Sequence, residues 1–339
     1  MAMFRRILAA AALLVLAAVL VVALWPQLLG LERTPVVAHV VSLRGLAAAI
    51  GVVLVVTFTL LALVYAGARR FAASVALLLL AFCAVSVAVL ATRGFGDPAL
   101  QTTAPGDVVV LSWNTLGDAP GPEVIADLAL EVEADVVALP ETSAEAAVIV
   151  QAILAGAGRP MTELHLSLDD VSKARTTAVL ISTDLGAYRR DDSAGTTDTL
   201  PSLLAVPVDG SGPTIIAAHP VAPVLGELDA WRQGLGWLAD RCAGRNVIVA
   251  GDLNSTVDHY SGLGTDGGDL GRCHDAARAT GNAAVGTWPT SFPQLLGSPI
   301  DHVMATPDWE IVGFRVIGSH DGEGSDHRPV VAQLRPSAS

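Results

Sequence analysis

Two short segments hold the residue types best suited to chemistry: S-D-H-R-P-V, from Ser325 to Val330, and G-D-L-N, from Gly251 to Asn254. Each adjoins an apolar, strand-like run, so two acids, an amide and an imidazole arrive at strand ends. Asp252 and Asn254 are two apart, and on an extended chain such residues face the same way. An aspartate there can orient or deprotonate a water, and an asparagine amide can donate to a phosphate oxygen. His327, beside Asp326, suits either proton transfer near neutral pH or stabilisation of negative charge on a transferring phosphoryl group. A third acid, Asp301 in S-P-I-D-H-V, can hold an imidazole in one tautomer, while its neighbour His302 points the other way by alternation. Such a set, in short loops at strand ends, is where phosphoester-cleaving chemistry can be assembled.

Three further polar residues close apolar runs. Glu141, in V-V-A-L-P-E-T, offers a hard oxygen of the kind Mg²⁺ takes, usually from only one or two carboxylates. Asn114 ends L-S-W-N, and His219 ends I-I-A-A-H. Taken singly, each is an ordinary strand terminator, and G-D-L-N is an ordinary turn. Lys173 and Arg175 stand at a strand start, either to meet substrate phosphates or as a solvated basic patch. Trp231 reads as core, and Trp288 as core or cleft wall. The stretch from Gly262 to Gly271 lacks the Lys and Ser or Thr of a phosphate-binding loop and reads as a mobile surface loop.

The elements that must position these residues follow from hydrophobic pattern. Strand-like runs recur at Val108–Trp113, Val136–Leu139, Ala178–Ser182, Leu203–Val208, Thr214–Ala218, Val247–Ala250, Ile300–Ala305, Glu310–Ile317 and Pro329–Leu334. Helical patterns fall at Pro122–Glu133, Ser143–Ala155, Glu227–Ala243 and Leu270–Ala279. The runs joined by D-G-S-G-P predict a hairpin, so antiparallel pairing is expected and a mixed two-sheet α/β domain is favoured.

The chain of 339 residues is divided in composition. Ile7–Leu24, Leu46–Ala66 and Phe71–Ala91 contain no Asp, Glu, Lys or Arg, and each is near the roughly 20 residues of a membrane-spanning helix. A cleaved signal peptide is the competing reading of the first run, but Leu24, Trp25 and Pro26 make a poor cleavage site. Arg5, Arg6, Arg69 and Arg70 predict a cytoplasmic N-terminus and an extracytoplasmic C-terminal domain in a multi-pass protein of the cell membrane, with Arg93 in minor dissent. Seven of 20 Lys and Arg and one of 33 Asp and Glu precede residue 97, which leaves 13 against 32, or about −19, beyond it. So acidic a domain, with Lys173 its one lysine, is poorly suited to tracking a nucleic-acid backbone. Cys242 and Cys273 would be joined only if the fold brings them together.

In their order, W-N-T, P-E-T, A-H-P, G-D-L-N, I-D-H-V and S-D-H-R-P-V resemble the endonuclease/exonuclease/phosphatase superfamily, which includes DNase I-like nucleases, neutral sphingomyelinases and inositol-phosphate phosphatases. The resemblance spans Asp107 to Leu334 and takes in none of the membrane part. It implies a four-layered α/β sandwich, two packed mixed β-sheets flanked by helices, here preceded by three transmembrane helices. It also implies a divalent ion, Mg²⁺ with Mn²⁺ as substitute, held by Glu141 with Asn114 and Asp326 nearby. By the same likeness Asp252 activates water, Asn254 and His219 contact the phosphate, and His327, oriented by Asp301, stabilises transition-state charge. One metal or two, and Asp252 or His327 as base, are both left open.

The resulting expectation is a membrane anchor over 1–96, a linker over 97–106 and a catalytic domain over 107–335. The domain is expected to hydrolyse a phosphodiester or phosphomonoester, lipid-linked or small, because the tether is short and the surface acidic. An extracellular nuclease and a non-catalytic binding module are the alternatives on the same fold. Protein partners have no sequence signal.

Overall fold

The computed structural model describes residues 2–96, 100–169 and 171–337. The apolar runs form helices α1 (Ala2–Leu24), α3 (Arg44–Val64) and α4 (Arg69–Arg93), with a short α2 (Val37–Ser42) between the first two. Mean hydropathy of 3.2, 2.7 and 2.7 makes the three long ones apolar enough, and long enough, to cross a membrane. Leu14, Val53 and Leu77 are exposed on them, as expected where the surrounding solvent is itself apolar. Gly51 brings α3 against α4: a Cβ there would lie 2.6 Å from the Cys83 sulfur.

The folded domain begins with β1 (Val108–Ser112), α5 (Pro122–Glu131), β2 (Val136–Pro140), α6 (Ala144–Gly156), β3 (Met161–Ser167) and β4 (Thr176–Ser182). It continues through β5 (Tyr188–Arg190), β6 (Leu203–Pro207), β7 (Thr214–Ala218), α7 (Leu228–Arg241), β8 (Val247–Asp252) and β9 (His274–Asp275). Helix α8 (Ala276–Ala279), β10 (Asp301–Ala305), β11 (Trp309–Val316) and β12 (Val330–Pro336) complete it. Two six-stranded sheets result, ordered β11-β12-β1-β2-β4-β3 and β5-β6-β7-β8-β10-β9. Both are mixed, with β1–β2 and β7–β8 parallel, and the expected β6–β7 hairpin is antiparallel.

Alternation sorts the side chains into layers. Val110, Ala138, Ala217 and Ala250 meet between the sheets; Leu111 and Leu139 face Ile125 and Leu154 of α5 and α6; Ile216 and Val249 face Trp231 and Leu235 of α7. This is the expected four-layered sandwich.

Two local readings change. The helix expected over Leu270–Ala279 shrinks to Ala276–Ala279, because Cys273 is bonded to Cys242 and the chain before it doubles back. The Gly262–Gly271 segment lies largely at the surface, as expected, and closes on itself: Thr265 N donates to Gly271 O (2.8 Å), and a Cβ on Gly271 would stand 2.3 Å from Ala239 O. Strands β3 and β5 lie at sheet edges, where half-exposed polar residues conceal the apolar pattern. Of the expected linker, residues 97–99 lie outside the described residues, and Leu100 packs against β11, where a Cβ on Gly313 would meet it at 3.0 Å.

The ends of the long helices at Leu24, Arg44 and Arg93 converge on one acid of the folded domain. Asp258 accepts from Arg44 (3.0 Å), from Arg93 (2.7 and 2.9 Å) and from Gln27 (3.1 Å), and Arg44 also reaches Leu24 O (3.3 Å). His259 Nε2 stands 3.1 Å from Ala38 O, and Arg33 donates to His259 O and Ser261 O. At Gly45 and Gly94 the backbones approach so closely that a Cβ would overlap Leu295 O and Gly281 O, at 1.8 and 2.0 Å. Burial works against the Asp258 carboxylate, yet Arg93 and Arg44 hold it down to about 2.

Candidate active site

Strand register assembles the site from both sheets. In the first, β1 and β2 run parallel with Ser112 opposite Ala138, so Asn114 and Glu141 emerge side by side, each just past its strand end. Ser112 also pairs with Val330, which brings the Asp326–His327 loop to the same edge. In the second, Ala218 pairs with Gly251 and Asp252 with Asp301, so His219, Asp252 and Asp301 share one end. Gly251 is required there because a Cβ would sit 1.9 Å from Ala218 O. Glu141 (φ 58°) and Asn254 (φ 45°) both take left-handed backbone, a strain that accumulates at functional sites and that Asn tolerates better than Glu.

All eight residues singled out in the sequence gather here. Asn114 Nδ2 donates to Glu141 Oε1 and to Asp252 Oδ2, both at 3.1 Å, and so bridges the two sheets. Asn254 donates to Asp252 through its backbone N–H (2.8 Å) and its amide (3.2 Å). His327 Nδ1 pairs with Asp301 Oδ2 at 2.9 Å, while its Nε2 faces Asp252 at 3.8 Å and Asp326 at 3.9 Å. His219 is fully buried with Nε2 3.7 Å from Glu141, and among the described residues neither ring nitrogen has a hydrogen-bond partner. Its backbone N–H is held by Ser202 Oγ (2.8 Å).

Burial drives the electrostatics apart. It raises Asp252 to about 7 against the pull of His327, and raises Glu141 as well. For His327, burial opposes the charge, but Asp301 and Asp252 outweigh it and lift the imidazole to about 10. Burial lowers His219 to about 3, so it is neutral. The site therefore pairs a cationic imidazole with a neutral one.

Two sets of atoms bear on a metal. Ligand atoms of Asp252, Asp301 and His327 lie within 4.8 Å of one another, but the 2.9 Å contact between His327 and Asp301 is that of a shared proton. Glu141 and Asp326 fit a hard cation better: both are oxygen donors on the open side, and Asp326 Oδ1 is buried without a hydrogen-bond partner among the described residues. Asn114 turns its nitrogen, not its oxygen, to Glu141, and its oxygen accepts from Leu116 N (3.0 Å).

The cleft above these groups has a volume of about 360 Å³. Trp288 lines it and donates Nε1 to Asp326 Oδ2 (2.8 Å), whereas Trp231 is core. His302 points away, to Asp275 (2.5 Å) and Ser255 O (2.8 Å). Lys173 and Arg175 are engaged by Asp118 (2.9 Å) and Asp169 (2.8 Å), not by the cleft. Two contributions were given no role in the sequence reading, although Arg328 lies within S-D-H-R-P-V. Arg328, buried, clamps the carbonyls of Gly286, Pro289, Thr290 and Phe292 and so holds the loop that carries Trp288. His39 and Ser42 of α2, with Leu43 between α2 and α3, form one wall of the cleft.

The family model described as Endonuclease/Exonuclease/phosphatase family matches residues 111–327, while no curated protein matches the chain. Similar solved structures include an endonuclease/exonuclease/phosphatase from Bacteroides vulgatus (16% identity, 68% of this chain and 99% of that one, TM-score 0.50). A family protein from Bacteroides thetaiotaomicron aligns at 17% identity, over 70% of this chain and 100% of that one, with TM-score 0.50. D. rerio TDP2 complexed with single strand DNA product aligns at 16%, over 68% and 99%, with TM-score 0.50. At these identities the likeness is one of fold.

Proposed function

The chain belongs to the endonuclease/exonuclease/phosphatase family, and from that premise we propose a membrane-anchored phosphohydrolase that acts outside the cytoplasm, depends on Mg²⁺ and cleaves a phosphodiester or phosphomonoester by attack of water. The observation that carries this reading is the convergence of the His327–Asp301 pair, Asp252 and the unpartnered His219 at the floor of one cleft. In it, residues 1–96 are the anchor, 97–106 the linker and 107–335 the catalytic domain. The arginines at Arg5, Arg6, Arg69 and Arg70 and the Cys242–Cys273 disulfide support the outward orientation.

Asp252, raised to about 7, is matched to taking a proton from water near neutral pH, and Asn254 and Asn114 keep it aimed. His327 stays protonated, held by Asp301, and presents Nε2–H to charge developing on the phosphoryl oxygens. Neutral His219, whose ring nitrogens have no hydrogen-bond partner among the described residues, donates a hydrogen bond to a phosphate oxygen. Glu141 and Asp326, with Asn114 beside them, would hold Mg²⁺, which when bound neutralises phosphate charge and polarises the ester.

The test is hydrolysis by the full-length protein in detergent, with Mg²⁺ or chelator, on aryl phosphate mono- and diesters, lipid phosphoesters and DNA. Turnover that needs Mg²⁺ and is lost in Asp252→Asn is expected. Turnover that survives either change would overturn the assignment. DNA cleavage falling steeply with salt would instead make it a nuclease.

A further inference from the structure

The wall formed by His39, Ser42 and Leu43 fixes where the cleft stands relative to a bilayer. Leu43 directly precedes α3, which starts at Arg44 and runs 21 residues. At 1.5 Å per residue α3 is about 31 Å long, close to the roughly 30 Å of a bilayer's hydrocarbon core. Arg44 therefore marks the hydrocarbon boundary, and the six residues of α2 lie just beyond it, in the layer where lipid headgroups hold their phosphates. Two of them, His39 and Ser42, together with Leu43 just after α2, line the cleft that also holds Asp252, His219 and His327.

The rest of the cleft suits a lipid too. Leu116 (45% exposed) and Val224 (46% exposed) line it from the folded domain, and Leu225, next to Val224, is 94% exposed. Apolar side chains at the mouth of an otherwise charged site have no use for a small hydrophilic ester, but they shelter the start of an alkyl chain. The wall is also fixed in place. The Asp258 cluster and the His259–Ala38 contact tie α2 and the helix ends to the domain, so the opening keeps its height.

We propose that this cleft takes the phosphoester headgroup of a lipid still seated in the bilayer, with its chain running past Leu43 and Leu116 into the membrane. Residues 39–43 of the membrane part thereby complete the substrate site. The proposal rests on the phosphohydrolase reading and narrows it to one substrate class.

The experiment uses full-length protein in phosphatidylcholine nanodiscs and two matched probe pairs. These are hexadecyl against methyl p-nitrophenyl phosphate, and hexadecyl phosphate against glycerol phosphate. Partition into the disc alone favours the long-chain probes, so the deciding readout is the long-to-short ratio of kcat/KM in Leu43→Asp and, from the folded domain's part of the lining, Leu116→Asp. Losing one apolar side-chain contact should lower that ratio about tenfold in each variant. An unchanged ratio in both variants, with the short probes still cleaved, overturns the lipid proposal and leaves the phosphohydrolase intact. No Asp252-dependent turnover of any probe overturns both readings.

Discussion

Asp252 and Asp258 are the same side chain on one short stretch of chain, both nearly inaccessible, and they have opposite fates. Asp258 is surrounded by Arg44, Arg93 and Gln27 and is held down to about 2. Asp252 has two asparagine amides, a shared imidazole and another acid beside it, and burial carries it up to about 7. Asp258 matches its charge with Arg44 and Arg93 at the helix ends beside the folded domain, and the helices are attached there. The candidate active site leaves charge unmatched, and in the proposed mechanism that imbalance is what suits Asp252 to take a proton from water. Burial alone therefore says nothing of a carboxylate's role; what stands around it decides.

Four changes would break or sharpen that contrast. The largest effect belongs to Asp252→Asn, which should lower turnover by about 10³-fold or more while the melting temperature holds or rises, since an unmatched buried charge is removed. Activity assays paired with thermal unfolding check it, and a large fall in melting temperature would make Asp252 structural. Asp258→Asn should do the reverse, costing about 3–5 kcal/mol because Arg44 and Arg93 lose their counter-ion in a buried seam. Denaturant unfolding of the full-length protein reads that loss. Trp288→Phe removes the donor to Asp326 and should lower kcat/KM by about tenfold, with stability little changed.

The smallest effect is in pH and is followed in chelator by unfolding. Asp258 has a depressed pKa, so its contribution is complete above an unfolded value of about 4 and fades as pH falls toward about 2. Asp252 has a raised pKa, so the unfolded state releases its proton first and stability declines as pH rises from about 4 through about 7. Asp252→Asn should flatten the second slope and spare the first; equal slopes in wild type and variant would mean that Asp252 is not perturbed.

Much of this was legible before any fold was known. Apolar runs of membrane length, strands ending in Asn114, Glu141, His219 and Asp252, and the pattern around Asp326 and His327 are local statements, and alternation correctly sent His302 away from Asp301. Asp258 and the 39–43 wall were not legible, because nothing local marks a carboxylate whose partners lie at Gln27, Arg44 and Arg93. The helix expected over Leu270–Ala279 failed for a related reason: a disulfide and a closely packed glycine, both long-range, override local propensity.

By itself, then, the sequence determined which solvent each segment seeks and which polar groups stand at strand ends, since both depend on hydrophobic period and on neighbours along the chain. Tertiary structure alone decided that Asp301 lies across from Asp252, that residues between α1 and α3 wall the cleft, and which buried acid is paired with arginines and which is not. Those outcomes rest on electrostatic and packing contacts between residues far apart in the chain, and only the folded arrangement sets their distances.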